Sequence, residues 1–338
     1  FSLVPCSMDI ARLAVNKAAR AARFVAETTN LNEGTIGKLD ASPVTVADFA
    51  VQALICHFIT QAFPNDPIIA EEDADELRKN KDLRERVLQA VRVVEPSATG
   101  EQVCDWIDRG TERGYSDRFW TLDPIDGTKG FLRREQYAIC LALVESGTPT
   151  VGAMACPNLT LNLESDSNDC PKGTLFWAHR GAGAWQMLLT EDDISDENQT
   201  YLKATRLQLK DNHNNTDELR FCESVEAAHS NHSLSNCIAS ALNISRPPIR
   251  LDSQAKYGVI ARGDADIYLR LPHFCTSSSK AKENIYRENI WDHGAGYVLV
   301  LEAGGVVTDM EGHPLDFSLG AKLLNNKGVV ASSGPILH

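Results

Sequence analysis

A six-residue acidic motif is the part of this sequence best suited to chemistry. In DPIDGT, at positions 123–128, Asp123 and Asp126 flank a Pro-Ile pair. A turn of this composition can direct both carboxylates and the Ile125 carbonyl toward one point, and Mg²⁺ prefers oxygen ligands of this kind. The hydroxyl of Thr128 lies just beyond, with adjacent backbone N–H groups. The motif therefore predicts a site for a hard divalent cation, although a lone turn of this type is also typical of a solvated surface.

Two further acidic residues stand where they could complete such a site. Glu71 follows the apolar run at 67–70, so it lies at the end of a predicted strand. Asp292 belongs to a WDHGAG motif at 291–296 that opens a predicted helix, whose N-terminal amides favour phosphate. Asp292 could instead cap that helix without a ligand role. The combination of segments favours a metal site.

The first half of the chain carries the elements that must position most of these acids. Apolar residues recur with helical period over 9–28 and 45–63, with Asp9 as the cap of the first helix and Asp48 in the first turn of the second. Asp48 could be there only because the helix dipole favours a negative charge. The apolar run before Asp123 predicts a buried strand that the Pro and Gly of the motif end. Two hairpins follow, so this half predicts helices on an antiparallel sheet.

The second half alternates strand and helix signals after a polar segment at 191–215, which is the best candidate for a domain boundary. We therefore expect an α+β domain over 1–200, which holds Glu71 and DPIDGT, and an α/β domain over 201–338, which holds WDHGAG. A helix is also expected over 76–94.

Composition excludes several classes of protein. The 338 residues include 33 Lys and Arg against 46 Asp and Glu, a net charge of −13, which disfavours binding to nucleic acids or anionic membranes. No apolar run is long enough to predict a membrane span. Nine scattered cysteines without a CxxC spacing predict reduced core thiols, so we expect a cytoplasmic protein. We also expect a monomer. The first residue is Phe1 rather than Met, which leaves room for an upstream organellar targeting segment.

These motifs, taken together and in this order, resemble the lithium-sensitive, magnesium-dependent phosphatase superfamily that includes inositol monophosphatase. SPVTVAD at 42–48, GFLRREQYA at 130–138 and LDSQAKYG at 251–258 resemble its 3′(2′),5′-bisphosphate nucleotidases of fungi and plants. The resemblance covers nearly the whole chain. It implies a layered αβαβα sugar-phosphatase fold of mixed α/β class. It also implies lithium and sodium sensitivity and removal of the 3′-phosphate from 3′-phosphoadenosine 5′-phosphate, with the phosphosulfate analogue as a second substrate.

The resemblance also implies a role for individual residues. Two to three Mg²⁺ ions would be held by Glu71, Asp123, the Ile125 carbonyl, Asp126 and Asp292. Thr128, backed by Asp48, would accept a proton from the attacking water. Substrate would contact Thr128, His229, Ser253, Lys256, Arg270 and Asp292, because an acidic protein needs local cations to bind a bisphosphate.

Three alternatives and some departures stay open at this point. His229, Lys256 and Arg270 could be ordinary surface or helix residues. The enzyme could be an inositol polyphosphate 1-phosphatase, since the metal residues are shared, or the chain could be a noncatalytic nucleotide sensor. Ala70 and Arg134 stand where the family usually has Gly, and a polar segment at 275–282 resembles an insertion.

Overall fold

A computed structural model describes residues 6–28, 43–163, 170–190, 197–209, 216–226, 232–271 and 287–338. Its helices are α1 (Ser7–Thr28), α2 (Pro43–Ala62), α3 (Asp75–Lys79), α4 (Lys81–Arg92), α5 (Gly100–Asp108), α6 (Thr128–Arg133), α7 (Glu197–Lys203), α8 (His232–Ala241), α9 (Ala255–Ala261) and α10 (Gly294–Glu302). Short 3₁₀ turns cover Thr216–Glu218 and Ile290–Asp292. His229 and the segment 275–282 lie outside the described residues.

The first sheet contains seven strands in chain order: β1 (Ile68–Ala70), β2 (Arg118–Asp126), β3 (Ala138–Glu145), β4 (Thr148–Thr160), β5 (Lys172–His179), β6 (Gly183–Leu188) and β7 (Thr205–Leu207). Strands β1 and β2 are parallel, with Ala70 opposite Leu122. The remaining neighbours pair antiparallel and include both predicted hairpins. Parallel pairing brings the ends of β1 and β2 to one edge of the sheet.

The second sheet has the order β11 (Val306–Thr308), β12 (Val329–Ser332), β10 (Ile267–Arg270), β8 (Phe221–Glu223) and β9 (Ile249–Arg250). Strands β10, β8 and β9 are parallel to one another, whereas β12 runs antiparallel to both its neighbours. The chain passes from the first sheet to the second after β7. The division into domains at 200 and 201 remains a prediction.

Helices and sheets stack in five layers, which confirms the expected αβαβα fold. Helices α1 and α2 cover one face of the first sheet, where the small residues Ala14 and Ala18 are fully buried. Helices α9 and α10 lie between the two sheets. They approach closely because Gly296 has no side chain: a Cβ there would lie 2.2 Å from the Tyr257 ring. Ile238 of α8 packs on the outer face of the second sheet.

Several predicted boundaries were wrong for identifiable reasons. Helix α1 begins before Asp9, which pairs with Arg12 inside the helix instead of capping it. Helix α2 begins at Pro43, so Asp48 lies in its second turn. The segment 76–94 divides into α3 and α4 because the side chain of Asn80 accepts a hydrogen bond from the Leu83 amide, at 3.0 Å, and caps a new helix.

Strand β2 continues through Pro124, contrary to the expectation that this proline ends it. Pairing with β3 shifts register between Asp123 and Asp126. A bulge of this kind accommodates a residue that has no N–H to donate to the ladder. Six further elements were not predicted from the sequence: α5, α6, α7, β7, β11 and β12.

Contrary to the expectation from the sequence, helix α2 is long and apolar enough to cross a membrane by length and composition alone. Val44–Ala62 has 19 residues and a mean hydropathy of 1.3. It packs against α1, α4, α5 and β2 and is mostly buried, as expected for the core helix of a folded domain. The thiols of Cys56, Cys140 and Cys156 are buried in the core, as predicted.

Candidate active site

The edge of the first sheet places two carboxylates side by side. Glu71 follows the last residue of β1, and Asp123 lies one position beyond Leu122 in β2. Asp123 is buried, with 3% of its surface exposed, and its Oδ1 has no hydrogen-bond partner among the described residues. The parallel pairing of two short apolar strands is therefore sufficient to create an acidic pair.

The bulge in β2 turns a third carboxylate toward the same point. Asp126 ends the strand, and Gly127 then takes a left-handed conformation, with φ of 88°, that starts α6 at Thr128. Glycine adopts this conformation without steric cost. Asp126 Oδ2 accepts a hydrogen bond from the Gln254 amide at 2.6 Å, which joins this turn to the second half of the chain.

Helix α2 supports the acidic pair from behind through two residues one helical turn apart. The Gln52 side chain accepts a hydrogen bond from the Glu72 amide at 3.0 Å and donates one to the Glu72 carbonyl at 2.7 Å. These bonds fix the backbone at the end of β1. Asp48 lies on the same helix face and is close enough to Glu71 and Glu72 for their charges to raise its pKa, although burial is the larger cause.

The second sheet and the turn before α10 supply the opposite wall. Arg270 ends β10, and its Nη2 lies 2.7 Å from Glu288 Oε2 and 3.9 Å from Asp292 Oδ2. Asp292 belongs to a 3₁₀ turn, and His293 rather than Asp292 precedes α10 as its cap residue. The side chain of Asp292 is therefore not used to cap this helix. His293 is held by Tyr257, whose hydroxyl lies 2.7 Å from Nδ1.

Ser253 and Lys256 lie at the start of α9, between the two walls. Ser253 is buried and has a φ of 70°, which is unusual for a residue with a side chain. The Lys256 ammonium donates to the Ser253 carbonyl at 2.7 Å and lies 5.2 Å from the centre of the Tyr268 ring. Burial lowers the pKa of Lys256, and the negative charge of Asp126 opposes that decrease.

These side chains surround one cavity of about 620 Å³. Among the predicted site residues, its walls include Glu71, Asp123, Ile125, Asp126, Thr128, Ser253, Lys256, Arg270 and Asp292. Asp48 stands behind the wall and makes no hydrogen bond to Thr128, although their helices α2 and α6 pack together. The structure thus gathers the described part of the predicted site, whereas His229 lies outside the described residues.

Crowding of carboxylates raises their pKa values. Burial is the main cause for Asp123, whose pKa is well above its ordinary value, followed by repulsion from Asp126 and Glu71. Burial and the charges of Glu72 and Asp126 raise the pKa of Glu71 to about 7. Burial raises the pKa of Asp292 to about 6, against the opposing effect of Arg270 and an adjacent histidine.

These groups fit a bound divalent cation. Like charges at short range raise one another's pKa unless a cation neutralises them. The unpartnered, buried Oδ1 of Asp123 is an oxygen of the type that Mg²⁺ binds. The cavity therefore contains acidic groups that could hold a metal ion, next to cationic side chains, among them Lys256 and Arg270, that could bind an anion.

Comparison with known proteins places this chain in a family. A sequence model of the inositol monophosphatase family matches residues 3–338. The chain belongs to the inositol monophosphatase family. It is 45% identical over 310 residues to a 3′(2′),5′-bisphosphate nucleotidase of Schizosaccharomyces pombe, covering 88% of this chain and 82% of that protein. It is 40% identical over 344 residues to the enzyme of the same name from Oryza sativa, covering 97% and 90%.

Solved structures of this family share the fold. CysQ from Bacteroides thetaiotaomicron, described as a bacterial member of the family, superposes with a TM-score of 0.59 at 20% identity, over 96% of this chain and 95% of its own. An inositol monophosphatase from Thermotoga maritima gives 0.58 at 20% identity, over 97% and 92%. The recognition of the superfamily and of its fold from sequence motifs is thereby confirmed.

Three residues that hold the site of this family member together were not predicted from the sequence. Gln52, Gln254 and Glu288 are buried polar residues whose partners are described above. Gln254 also donates to the Trp291 carbonyl at 2.8 Å and accepts from the Gly296 amide at 3.1 Å. Its position inside the LDSQAKYG motif was the available signal. Gln52, a polar residue in the middle of a mostly apolar helix, was a weaker signal.

Proposed function

We propose that this chain is a magnesium-dependent 3′(2′),5′-bisphosphate nucleotidase, which hydrolyses the 3′-phosphate of 3′-phosphoadenosine 5′-phosphate to give AMP and phosphate. One observation carries the proposal. The carboxylates at the ends of β1 and β2 face Arg270 and Lys256 across a single cavity, so a metal-binding wall and an anion-binding wall are combined. A bisphosphate with two separated anionic groups fits that division.

The roles proposed for individual residues come from the family resemblance, and the arrangement of the cavity supports them. We propose that Glu71, Asp123, the Ile125 carbonyl, Asp126 and Asp292 hold two to three Mg²⁺ ions. When bound, Mg²⁺ lowers the pKa of a coordinated water and neutralises charge on the transferred phosphoryl group.

The chain's own residues supply proton transfer and orientation. Thr128, at the start of α6, orients the attacking water and accepts its proton. As Thr128 takes the proton of the water, it gives its own hydroxyl proton to Asp48, which acts as the base in its ionised form. Burial and the charges of Glu72 and Glu71 raise the pKa of Asp48, so neutralisation of the neighbouring carboxylates by bound cations would favour that form. The relay requires the two side chains to come within hydrogen-bond distance, because they are not hydrogen-bonded in this structure.

The second phosphate and the nucleoside occupy the other wall. Arg270 and Lys256 offer positive charge, and Ser253 offers a hydroxyl beside them. His229 is retained in the proposal on the resemblance alone. Relatives that match most of the chain are named bisphosphate nucleotidases, which disfavours the inositol polyphosphate alternative. We also propose that the chain is a cytoplasmic monomer built from the two predicted domains. A second proposed activity, on 3′-phosphoadenosine 5′-phosphosulfate, should be measured beside the activity on 3′-phosphoadenosine 5′-phosphate.

Phosphate release tests the proposal. The purified chain is given 3′-phosphoadenosine 5′-phosphate, inositol 1,4-bisphosphate or inositol 1-phosphate, each with Mg²⁺ and with Mg²⁺ plus Li⁺. Selective, Li⁺-sensitive release from the nucleotide is expected.

Asp126→Asn should reduce that release by at least about 100-fold, since metal ligands stabilise transition-state charge. Glu85→Gln, an exposed change on α4, is the matched control. Retained activity in Asp126→Asn would contradict the metal assignment, and preference for an inositol phosphate would contradict the substrate.

A further inference from the structure

Arg133, the last residue of α6, contacts three carboxylates that lie in different parts of the chain. Its Nε lies 2.6 Å from Glu135, its Nη1 lies 2.7 Å from Glu226, and its Nη2 pairs with Asp252. Lys129 binds the second oxygen of Glu226 at 2.8 Å. The planar guanidinium has donors in several directions, so one side chain can join three acidic groups in this way.

Asp252 depends on this contact. Only 8% of its side chain is exposed, and Arg133 is the hydrogen-bond donor to its carboxylate among the described residues. Burial raises the pKa of Asp252, and the charges of Arg133 and Lys256 oppose that rise. A buried carboxylate that loses its cation must become neutral, move toward water or remain at a large energetic cost.

The loop that follows Asp252 is packed tightly against the proposed metal-binding turn. A Cβ at Gly130 would lie 3.1 Å from the Asp252 Cβ, and one at Gly127 would lie 3.0 Å from the Ser253 Cβ. The positive φ of Ser253 is maintained only where surrounding contacts enforce it. The next amide, that of Gln254, donates to Asp126. Movement of Asp252 would therefore displace both a substrate-binding hydroxyl and a support of a metal ligand.

We infer that Arg133 is a positioning residue of this active site, which holds the loop 252–254 in its binding conformation by neutralising buried Asp252. Glu135 and Glu226 fix the direction of the guanidinium. The residue thus gives the GFLRREQYA motif a physical role that the phosphatase chemistry does not require. The kinetic consequence rests on the proposed function. The tether itself, meaning the Arg133–Asp252 contact that holds the loop 252–254, does not.

Steady-state kinetics separate this role from a direct contact with substrate. Arg133→Gln should raise the KM for 3′-phosphoadenosine 5′-phosphate about tenfold, because the loop carries the substrate-binding Ser253. It should lower kcat less than about threefold, because Asp126 loses one hydrogen bond from the loop but keeps its place in strand β2. Adding Asp252→Asn should restore KM to within about threefold of the native value, since no unpaired buried charge then remains. Arg134 is the neighbouring control, because it makes no ion pair in the described part of the chain. Arg134→Gln should leave both constants unchanged.

Two results would overturn the inference. The first is an unchanged KM in Arg133→Gln, which would mean that the residue does not support substrate binding. The second is a double variant as impaired as the single one, which would mean that Arg133 acts on substrate directly. If Arg133→Gln does not fold, Arg133→Lys replaces it, with a smaller rise in KM expected that Asp252→Asn again removes.

Amide hydrogen exchange measures how firmly the tether holds the loop, and it does so without enzyme turnover. Amides of 252–256 should exchange about tenfold faster in Arg133→Gln, or measurably faster in Arg133→Lys, than in the native chain with no substrate present. Unchanged exchange would refute the tether. A native chain that released no phosphate from the nucleotide would instead refute the proposed function and leave this measurement valid.

Discussion

Replacing Asp292 by asparagine should stabilise the metal-free protein at alkaline pH, although it removes a proposed magnesium ligand. Burial is the largest reason why the pKa of Asp292 rises from 3.8 to about 6; Asp126 adds to the increase, and His293 and Arg270 oppose it. The native state therefore holds this proton more tightly than the unfolded chain does. The contribution of this proton to the free energy of unfolding is fully present below pH 3.8 and is lost as the pH rises through about 6.

The magnitude follows from the two pKa values. Their difference of about 2 corresponds to roughly 3 kcal/mol at about pH 8, where the native protein holds Asp292 ionised. At about pH 5 the same linkage gives a cost of only about half of that. Asparagine resembles the protonated acid, so it avoids this cost at every pH. The free energy of unfolding of the variant, relative to the native chain, should thus increase by roughly 1–2 kcal/mol between about pH 5 and pH 8.

Urea unfolding in EDTA at the two pH values measures this difference, with Glu85→Gln as the control for loss of an exposed acid. Repeating the pH 8 measurement with Mg²⁺ should stabilise the native chain more than the variant, because only binding to the folded state contributes. A difference between the two proteins that is the same at both pH values would refute the electrostatic reasoning. Equal stabilisation by Mg²⁺ would refute the ligand role of Asp292.

Three other substitutions test separate parts of the site. Asp48→Asn should lower kcat by about 100-fold or more, because a buried general base is lost, yet the Tm should not fall, since the acid is already disfavoured in its charged form. Gly130→Ala should destabilise the fold by roughly 1–3 kcal/mol, because its Cβ would lie 2.0 Å from the Gln136 carbonyl; Gly114→Ala, with open space around it, is the control in the same thermal melt. Lys256→Met should raise the KM for the nucleotide about tenfold with a smaller change in kcat, and an unchanged KM would remove this ammonium from the anion-binding wall.

The acidic part of the site could be predicted because sheet geometry is simple. An apolar run buried in a sheet must end, and the first charged residues after it mark the edge. Glu71 and Asp123 obey this rule, and their parallel strands then place them together. The path of the chain through Pro124 could not be predicted in the same way. It depends on a register shift that local composition does not encode, so the strand was expected to end too early.

The polar supports were hidden for a different reason. Gln254 bonds to Asp126 across 128 positions, and Gln52 bonds to Glu72 across 20 positions. Such contacts form only when separate elements pack together, and no spacing rule for glutamine in a sequence predicts them. Arg133 was visible inside a motif together with Glu135, but its partners Glu226 and Asp252 come from segments whose proximity only the fold establishes.

The identity of these supports explains how the site remains ready for a cation. Asp126 and the backbone beside Glu71 are held by Gln254 and Gln52, which are neutral donors. Lysine or arginine at either position would neutralise the carboxylates and compete with Mg²⁺ for them. Arg270 and Lys256 have other main partners: Arg270 pairs with Glu288 at 2.7 Å and lies 3.9 Å from Asp292, and Lys256 bonds to backbone carbonyls. The repulsion among the carboxylates of the metal-binding wall is therefore relieved chiefly when a divalent ion binds.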